Sequence, residues 1–214
     1  MVAGNAQSDS PRPVELRTSD GGTVHGDLYG AGRHGVVLAH GGRFNKGSWE
    51  KQARELARAG YRVLAIDFRG YGQSKGPGQG DVFTAPLHLD VLAAVEYLRL
   101  TGAKTVSAIG GSLGGGAAAA AAIAEPRAID RLILLGSTPD GPPDKLTARK
   151  LYIATRDDTS GDGPRLPGLQ AHFDGAPEPK QLILLEGSAH AQFMFQTDQA
   201  DRVMREILRF LSAP

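Results

Sequence analysis

The chain has 214 residues, and its 24 lysines and arginines nearly balance its 23 aspartates and glutamates. This length suits one α/β domain with a self-sufficient core, and neither the charge balance nor any apolar run indicates nucleic acid or a membrane as a partner. The absence of cysteine excludes disulfides, zinc-thiolate sites and a cysteine nucleophile, and it favours a cytoplasmic location.

The first 29 residues predict a polar leader followed by a β-hairpin. Residues 1–12 have no apolar segment like that of a secretory signal, so they are expected to form a flexible leader before a single domain over 13–214. The predicted strands Val14–Thr18 and Thr23–Tyr29 flank Asp20-Gly21-Gly22, whose residue types are typical of a hairpin turn.

Beyond the hairpin, short buried strands alternate with helical patterns, which predicts a mostly parallel sheet covered by helices. The six further predicted strands are Gly35–His40, Tyr61–Asp67, Thr105–Ile109, Arg131–Leu135, Lys150–Thr155 and Gln181–Glu186. The predicted helices are Trp49–Ala59 with Ser48 as N-cap, Leu87–Leu100, an alanine-rich helix ending before Pro126, and Asp198–Leu211. About a dozen residues separate the sixth strand from the seventh, which is too few for a cap domain.

The strongest functional signal follows the strand Thr105–Ile109. The segment Gly110-Gly111-Ser112-Leu113-Gly114 has the Gly-x-Ser-x-Gly form of a nucleophile elbow. A serine at such a sharp strand-to-helix turn has strained backbone, and the outer glycines remove side chains that would collide with the neighbouring chain. The pattern predicts Ser112 as a nucleophile, although a glycine-rich loop that opens a helix fits the pentapeptide alone equally well.

A serine nucleophile needs a base and a group that orients the base. His190 follows the last predicted strand, and Asp157 and Asp158 follow the seventh, so these side chains leave the sheet at the carboxyl edge, where open α/β sheets hold their sites. His172 is the other histidine after the serine and is expected to lie on the surface or pack in the fold. Asp162 is a more distant candidate for the acid.

Three blocks of sequence together resemble the α/β-hydrolase superfamily. They are the elbow around Ser112, the turn His40-Gly41-Gly42, and the segment 67–74, which reads Asp-Phe-Arg-Gly-Tyr-Gly-Gln-Ser. The resemblance extends over residues 14–211 and implies that family's fold, an eight-stranded, mostly parallel twisted sheet with helices on both faces. The absence of a cap resembles the compact esterase-like and dienelactone-hydrolase-like members, here with a serine nucleophile.

The family's chain order of nucleophile, acid and histidine implies a catalytic triad. Ser112, Asp158 and His190 fall in that order. Asp158 is favoured over Asp157 because the family's acid usually lies a few residues beyond the strand.

Other residues receive supporting roles from the same resemblance. The backbone N–H groups of Gly42 and Leu113 are implied to hold an oxyanion. His40, Asp67 and Arg69 are expected to be structural, with His40 hydrogen-bonded inside its turn and the other two bracing the glycine turn. Five aromatic residues are expected to wall an acyl pocket or to pack in the core: Phe44, Trp49, Tyr71, Phe193 and Phe195.

Together these features imply a serine hydrolase that cleaves small-molecule carboxylic esters through an acyl-enzyme intermediate. No pair of histidines has metal-ligand spacing, and Ser48 replaces the lysine that a phosphate loop over residues 42–47 requires, so no metal or cofactor is expected. Thioester, amide, peptide or haloperoxidase-like chemistry would use the same residues. A non-catalytic ligand sensor or scaffold would keep the same fold.

Overall fold

The computed structural model describes residues 10–213. Strands β1 to β10 are Arg12–Arg17, Thr23–Tyr29, His34–Ala39, Arg62–Ile66, Thr105–Gly111, Arg131–Leu135, Arg149–Thr155, Thr159–Ser160, Gly163–Pro164 and Lys180–Leu185. Helices α1 to α5 are Glu50–Arg58, Leu87–Leu100, Leu113–Ala124, Leu166–Gly175 and Ala200–Ser212. Three short 3-10 helices are Lys46–Trp49, Pro143–Lys145 and Ala191–Gln196.

Eight of the strands form one sheet in the order β1-β2-β4-β3-β5-β6-β7-β10. Strands β1 and β2 form the predicted antiparallel hairpin, β2 also pairs antiparallel with β4, and the other neighbours in the sheet are parallel. Strands β8 and β9 make a separate two-stranded ribbon. The predicted fold class, an eight-stranded and mostly parallel sheet, is therefore confirmed.

The register brings the carboxyl ends of the central strands to one edge of the sheet. In β5, Gly110 pairs with Ala39 of β3, and the next residue, Gly111, pairs with Leu135 of β6. Leu135 in turn pairs with Ile153 of β7, so the loops after these strands emerge side by side. This edge is where an open α/β sheet places its functional residues.

Both faces of the sheet are buried, because helices cover each of them. Along β3, Val37 and Ala39 face a core shared with α2 and α3, while Val36 and Leu38 face a core shared with α1 and α5. This alternation explains why the inner strands are apolar at every position. The alanines of α3 are mostly buried, and their small side chains let the helix lie close to the sheet.

The start of the first helix differs from the prediction. The chain begins to turn three residues before the predicted helix start, in the 3-10 helix Lys46–Trp49. The side chain of Asn45 caps this turn by accepting from the N–H of Gly47. Ser48 is therefore not the N-cap. Its hydroxyl instead donates to the carbonyl oxygen of Asn45.

Three other features refine the sequence-based outline. Arg12 lies in β1 rather than in the leader, and residues 1–9 of the predicted leader lie outside the described residues. The ribbon β8–β9 and helix α4 were not predicted. The connection from β6 to β7 contains one 3-10 turn, Pro143–Lys145, and no cap domain.

No helix within residues 10–213 is both long enough and apolar enough to cross a bilayer.

Candidate active site

Ser112 stands in a strained turn between β5 and α3. Its backbone has φ 49° and ψ −115°, and a positive φ is uncommon for a residue other than glycine. The N–H of Ser112 donates to the carbonyl oxygen of Leu135, while its own carbonyl oxygen accepts from Gly115, Gly116 and the hydroxyl of Ser137. These bonds hold the strained conformation from both sides.

The two glycines of the elbow are required by the closeness of the surrounding backbone. A Cβ at Gly110 would overlap the carbonyl group of Gly114. A Cβ at Gly114 would overlap the carbonyl oxygen of Ala39 and lie 2.7 Å from that of His40. The start of α3 therefore packs directly on the end of β3, which is also where the turn 40–42 begins.

Substituting Gly114 and Gly116 by alanine should have different effects on the free energy of unfolding. We expect Gly114→Ala to lower the free energy of unfolding by about 3 kcal/mol, because the new methyl group would force β3 and α3 apart. Gly116→Ala places its Cβ in open space and is expected to be neutral or to stabilise α3 by up to about 1 kcal/mol. Urea denaturation of the two variants measures the difference, and equal stabilities would contradict the packing described.

His190 bridges the serine and a buried carboxylate. Its Nε2 lies 2.8 Å from Oγ of Ser112, and its Nδ1 lies 2.6 Å from Oδ2 of Asp158. Asp158 is only 3% exposed, whereas Asp157 and Asp162 are both exposed. Of the three acid candidates, the structure thus brings Asp158 to the histidine.

The second carboxylate oxygen of Asp158 faces a cation. Nε of Arg165 lies 3.5 Å from Oδ1 of Asp158, and the N–H of Arg165 donates to the carbonyl oxygen of the same aspartate. These contacts span the ribbon β8–β9 and attach Asp158 to the start of α4. The aspartate is thereby fixed on the side away from His190.

Gly136, which follows β6, leaves room for residues 186–196 after β10, named the histidine loop because they include His190. A Cβ at this glycine would lie 3.2 Å from Nδ1 of His190 and 2.8 Å from the backbone nitrogen of Ala191. Ala191 itself has φ 51°, so the chain turns sharply directly after the histidine. A glycine placed immediately after a strand is the sequence signal for this contact, and Gly136 was not among the predicted site residues.

The turn 40–42 is held by hydrogen bonds at several points. Nδ1 of the buried His40 lies 2.9 Å from the carbonyl oxygen of Gly41, and its Nε2 accepts from the N–H of Phe68. Burial lowers the pKa of His40, which favours the neutral ring that these two bonds require. The histidine therefore supports the backbone of its turn, as expected.

Within residues 10–213, the lining of the cavity beside Ser112 does not include Tyr71, which was expected in its wall. Its hydroxyl donates to the carbonyl oxygen of Gly42 at 2.8 Å, and its ring packs edge-on against His40. Among the described residues, Gly42 and Leu113 do line that cavity together with Ser112. Leu113 is the first residue of α3, a position whose N–H has no acceptor within the helix.

Arg69 and Asp67 are structural, but the partners of their side chains lie outside the glycine turn 70–72 that they were expected to brace. The fully buried guanidinium of Arg69 donates to the carboxylates of Asp90 and Asp20, and its hydrogen bonds hold the pKa of Asp20 down at about 2. The carboxylate of Asp67 instead accepts from the N–H of Lys46. The two side chains thus have supporting roles with different partners.

The cavity beside Ser112 has a volume of about 760 Å³. Phe44 and Phe193 form one wall, with ring centroids 4.8 Å apart. Phe83 is 81% exposed and lies at the rim, on the segment that precedes α2. Further apolar lining comes from the segment before α2 and from helices α2, α3 and α4: Val82, Leu87, Leu113, Leu166 and Leu169. The site is therefore a largely apolar cleft around a hydroxyl, an imidazole and a carboxylate.

Three other candidates lie away from this cleft. Trp49 is buried in the core under α1 and packs against Phe195. Neither residue lines the cavity in the described part of the chain. His172 is buried, and its Nδ1 lies 2.9 Å from the hydroxyl of Tyr152, so it packs in the fold.

Comparison with known proteins agrees with this architecture. The family model described as the alpha/beta hydrolase fold matches residues 36–174, well over half of the chain. The chain belongs to the α/β-hydrolase family. Among curated α/β-hydrolase relatives, it is 34% identical over 154 residues to a non-heme chloroperoxidase of Streptomyces lividans, covering 69% of this chain and 49% of that protein.

A second curated relative is a 2-hydroxy-6-oxononadienedioate/2-hydroxy-6-oxononatrienedioate hydrolase of Paraburkholderia phymatum. It is 34% identical over 132 residues, which cover 58% of this chain and 44% of that hydrolase. The chain therefore spans about half or less of the length of the curated α/β-hydrolases it matches. An esterase of Pyrococcus furiosus has a similar solved structure, with a TM-score of 0.80 and 18% identity over 99% of this chain and 96% of the esterase.

Proposed function

We propose that this α/β-hydrolase is a serine esterase acting on carboxylic esters of small molecules. One observation carries the proposal: a single imidazole lies within hydrogen-bonding distance of both a strained serine hydroxyl and a buried carboxylate. This arrangement gives the serine a base and gives the base an orienting group, as nucleophilic catalysis requires. The esterase of Pyrococcus furiosus shares this fold, so ester hydrolysis is compatible with the architecture.

In the proposed reaction, Oγ of Ser112 attacks the carbonyl carbon of the ester while Nε2 of His190 takes the hydroxyl proton. Asp158 accepts a hydrogen bond from Nδ1–H, which fixes the imidazole tautomer and stabilises the imidazolium. The N–H groups of Gly42 and Leu113 would stabilise the negative oxygen of the tetrahedral intermediate.

Collapse of the intermediate breaks the bond to the alcohol, which leaves with the proton from His190. Water then attacks the acyl-enzyme, again giving its proton to Nε2, and the carboxylic acid is released as the serine regains its hydrogen.

Two measurements test the proposal directly. A serine-directed fluorophosphonate should label the protein once, at Ser112, and a panel of p-nitrophenyl esters and thioesters should show multiple turnovers. The panel also separates ester from thioester preference. A single stoichiometric cleavage would indicate a ligand sensor, and no cleavage or labelling would contradict the esterase.

The cavity walls predict a role for Phe83 in binding longer acyl or alcohol groups. We expect Phe83→Ala to raise KM for a hexanoate ester about fivefold, because the ligand loses roughly 1 kcal/mol of apolar contact, and to leave the acetate ester unchanged. Leu100→Ala is the matched control, since Leu100 is 79% exposed and lies outside this cavity. A similar KM for the hexanoate ester in the wild type, Phe83→Ala and Leu100→Ala would contradict a role of Phe83 in ligand binding.

A further inference from the structure

Gln192 connects the histidine loop to the turn 40–42. It lies two residues after His190, on the 3-10 helix Ala191–Gln196, and its side chain is almost completely buried at 3% exposure. Its Oε1 accepts from the N–H of Gly41 at 2.6 Å, and its Nε2 donates to Oγ of Ser48 at 2.6 Å. No motif in the sequence marks this residue.

The donor and the acceptor are determined at every hydrogen bond in the series that links Gly41, Gln192, Ser48 and Asn45. The hydroxyl of Ser48 donates its proton to the carbonyl oxygen of Asn45, so its lone pair is available to accept from Gln192. The amide nitrogen therefore faces Ser48, and the amide oxygen faces Gly41. A side chain here must accept at one end and donate at the other, which an amide does and an apolar side chain does not.

The hydrogen bond to the N–H of Gly41 is important because the next peptide group carries the N–H of Gly42, the proposed oxyanion donor. The carbonyl oxygen of Gly41 is held by Nδ1 of His40 and by the N–H of Phe44. A trans peptide is planar, so holding this oxygen directs the N–H of Gly42 to the opposite side. The direction of the proposed oxyanion donor is thus set by the orientation of two consecutive peptide groups.

Two consecutive glycines give this turn little stiffness of its own, because neither residue has a Cβ to restrict the backbone. Neither is crowded into place: a Cβ at Gly41 would have no contact closer than 3.3 Å, and one at Gly42 none closer than 3.7 Å. Hydrogen bonds must therefore supply the order. Of the described bonds to Gly41, only the one from Gln192 comes from the loop that carries the proposed base.

We propose that Gln192 is a positioning residue that holds the Gly41–Gly42 turn in the geometry needed to bind an oxyanion and fixes this turn relative to His190. The inference rests on the proposed esterase function, because an oxyanion donor affects the rate only if a negative oxygen develops there. Gln192 acts through the backbone of Gly41 and does not touch the reacting atoms.

The test uses Gln192→Met, which keeps the length and volume of the side chain and removes both hydrogen bonds. We expect kcat per fluorophosphonate-titrated site to fall about 10–100-fold, less than the 10²–10³-fold typical for complete loss of a donor. KM for a short p-nitrophenyl ester should change less than threefold, because the donor binds the transition state more tightly than the substrate. A boronic acid that mimics the tetrahedral intermediate should lose affinity in parallel.

Ser48→Ala is the matched control, since it removes only the far partner and leaves the bond from Gly41 to Oε1. We expect its kcat to stay within about threefold of wild type. The proposal is overturned if Gln192→Met keeps the wild-type kcat per titrated site, or if its loss lies only in KM or in the fraction of titratable protein. The last result would indicate a purely structural role.

The proposed function and this inference can fail separately. If the wild-type protein hydrolyses no ester and takes up no fluorophosphonate, the esterase proposal fails. Hydrogen exchange at the Gly41 amide, measured by NMR, still tests whether Gln192 holds the N–H of Gly41. We expect Gln192→Met to speed that exchange at least tenfold, and an unchanged exchange rate would overturn the anchoring itself.

Discussion

Replacing Ser112 by alanine is expected to lower kcat for a short p-nitrophenyl ester by about 10⁵–10⁶-fold. The variant has no oxygen to attack the acyl carbon, and His190, whose Nε2 lies 2.8 Å from that oxygen, then has nothing to deprotonate. Only the residual effect of substrate binding and oxyanion contacts would remain. Steady-state kinetics with protein expressed free of contaminating esterases measures the loss, and labelling by the fluorophosphonate should disappear with it.

Ser137 provides the matched control for this experiment. It also lines the cavity, but its hydroxyl donates to the carbonyl oxygen of Ser112 rather than facing the imidazole. We expect Ser137→Ala to keep kcat within about tenfold of wild type, because one of several bonds that hold the elbow is lost. If Ser112→Ala turns over as fast as Ser137→Ala, the nucleophile has been misassigned.

The second large effect separates two adjacent aspartates. We expect Asp158→Asn to lower kcat about 10⁴-fold, because the amide no longer fixes the imidazole tautomer that accepts the serine proton. Asp157→Asn should leave kcat within about twofold, since that carboxylate is exposed and, within residues 10–213, the hydrogen bond of Asp157 is made by its backbone N–H, which donates to the carbonyl oxygen of Gly187. Both variants remove one negative charge from the same turn, so a general electrostatic effect is controlled.

The kinetic comparison of the two aspartates should be accompanied by thermal unfolding of both variants. Asp158 also contacts Arg165, so some loss of stability is expected in Asp158→Asn. A loss of kcat per titrated site that is equal in the two variants would contradict the geometry around His190. A loss confined to Asp157→Asn would reverse the assignment.

Much of the fold was predictable because its signals are local. Buried parallel strands are apolar on both faces, as in Val36 to Ala39, and the elbow needs glycine at 110 and 114 for steric reasons. The strand positions and the parallel sheet followed from these patterns. The prediction that Ser112, Asp158 and His190 form a triad came from a family resemblance. The family itself is confirmed by the match over residues 36–174.

What was missed depends on contacts between distant segments. Gln192 meets Gly41 across 151 positions of sequence, and no local pattern marks a buried glutamine for such a bond. The aromatic ring of Tyr71 predicts a position in the pocket wall, because aromatic residues commonly line such pockets. Its hydroxyl instead donates to the carbonyl oxygen of Gly42. The N-cap is a local exception: Asn45, three residues before Ser48, accepts from the N–H of Gly47 and starts the turn first.

Helix α4 was missed for a different reason. Its sequence, Leu166–Gly175, contains Pro167 and Gly168 and buries only two side chains, so the helical periodicity is weak. Proline is nevertheless well tolerated in the first turn of a helix, where its missing N–H has no acceptor.

The short connection between β6 and β7 is a place where an insertion could change which ligands reach the cleft. Asp140 and Gly141 of that connection already border the cleft, while the strands on either side remain paired in the sheet. A helical insert grafted at this surface loop would shield the cleft from solvent without altering the register beneath it. Such an insert would screen ligands by size, whereas the β6–β7 connection within residues 10–213 contributes one 3-10 turn and no cover of this kind.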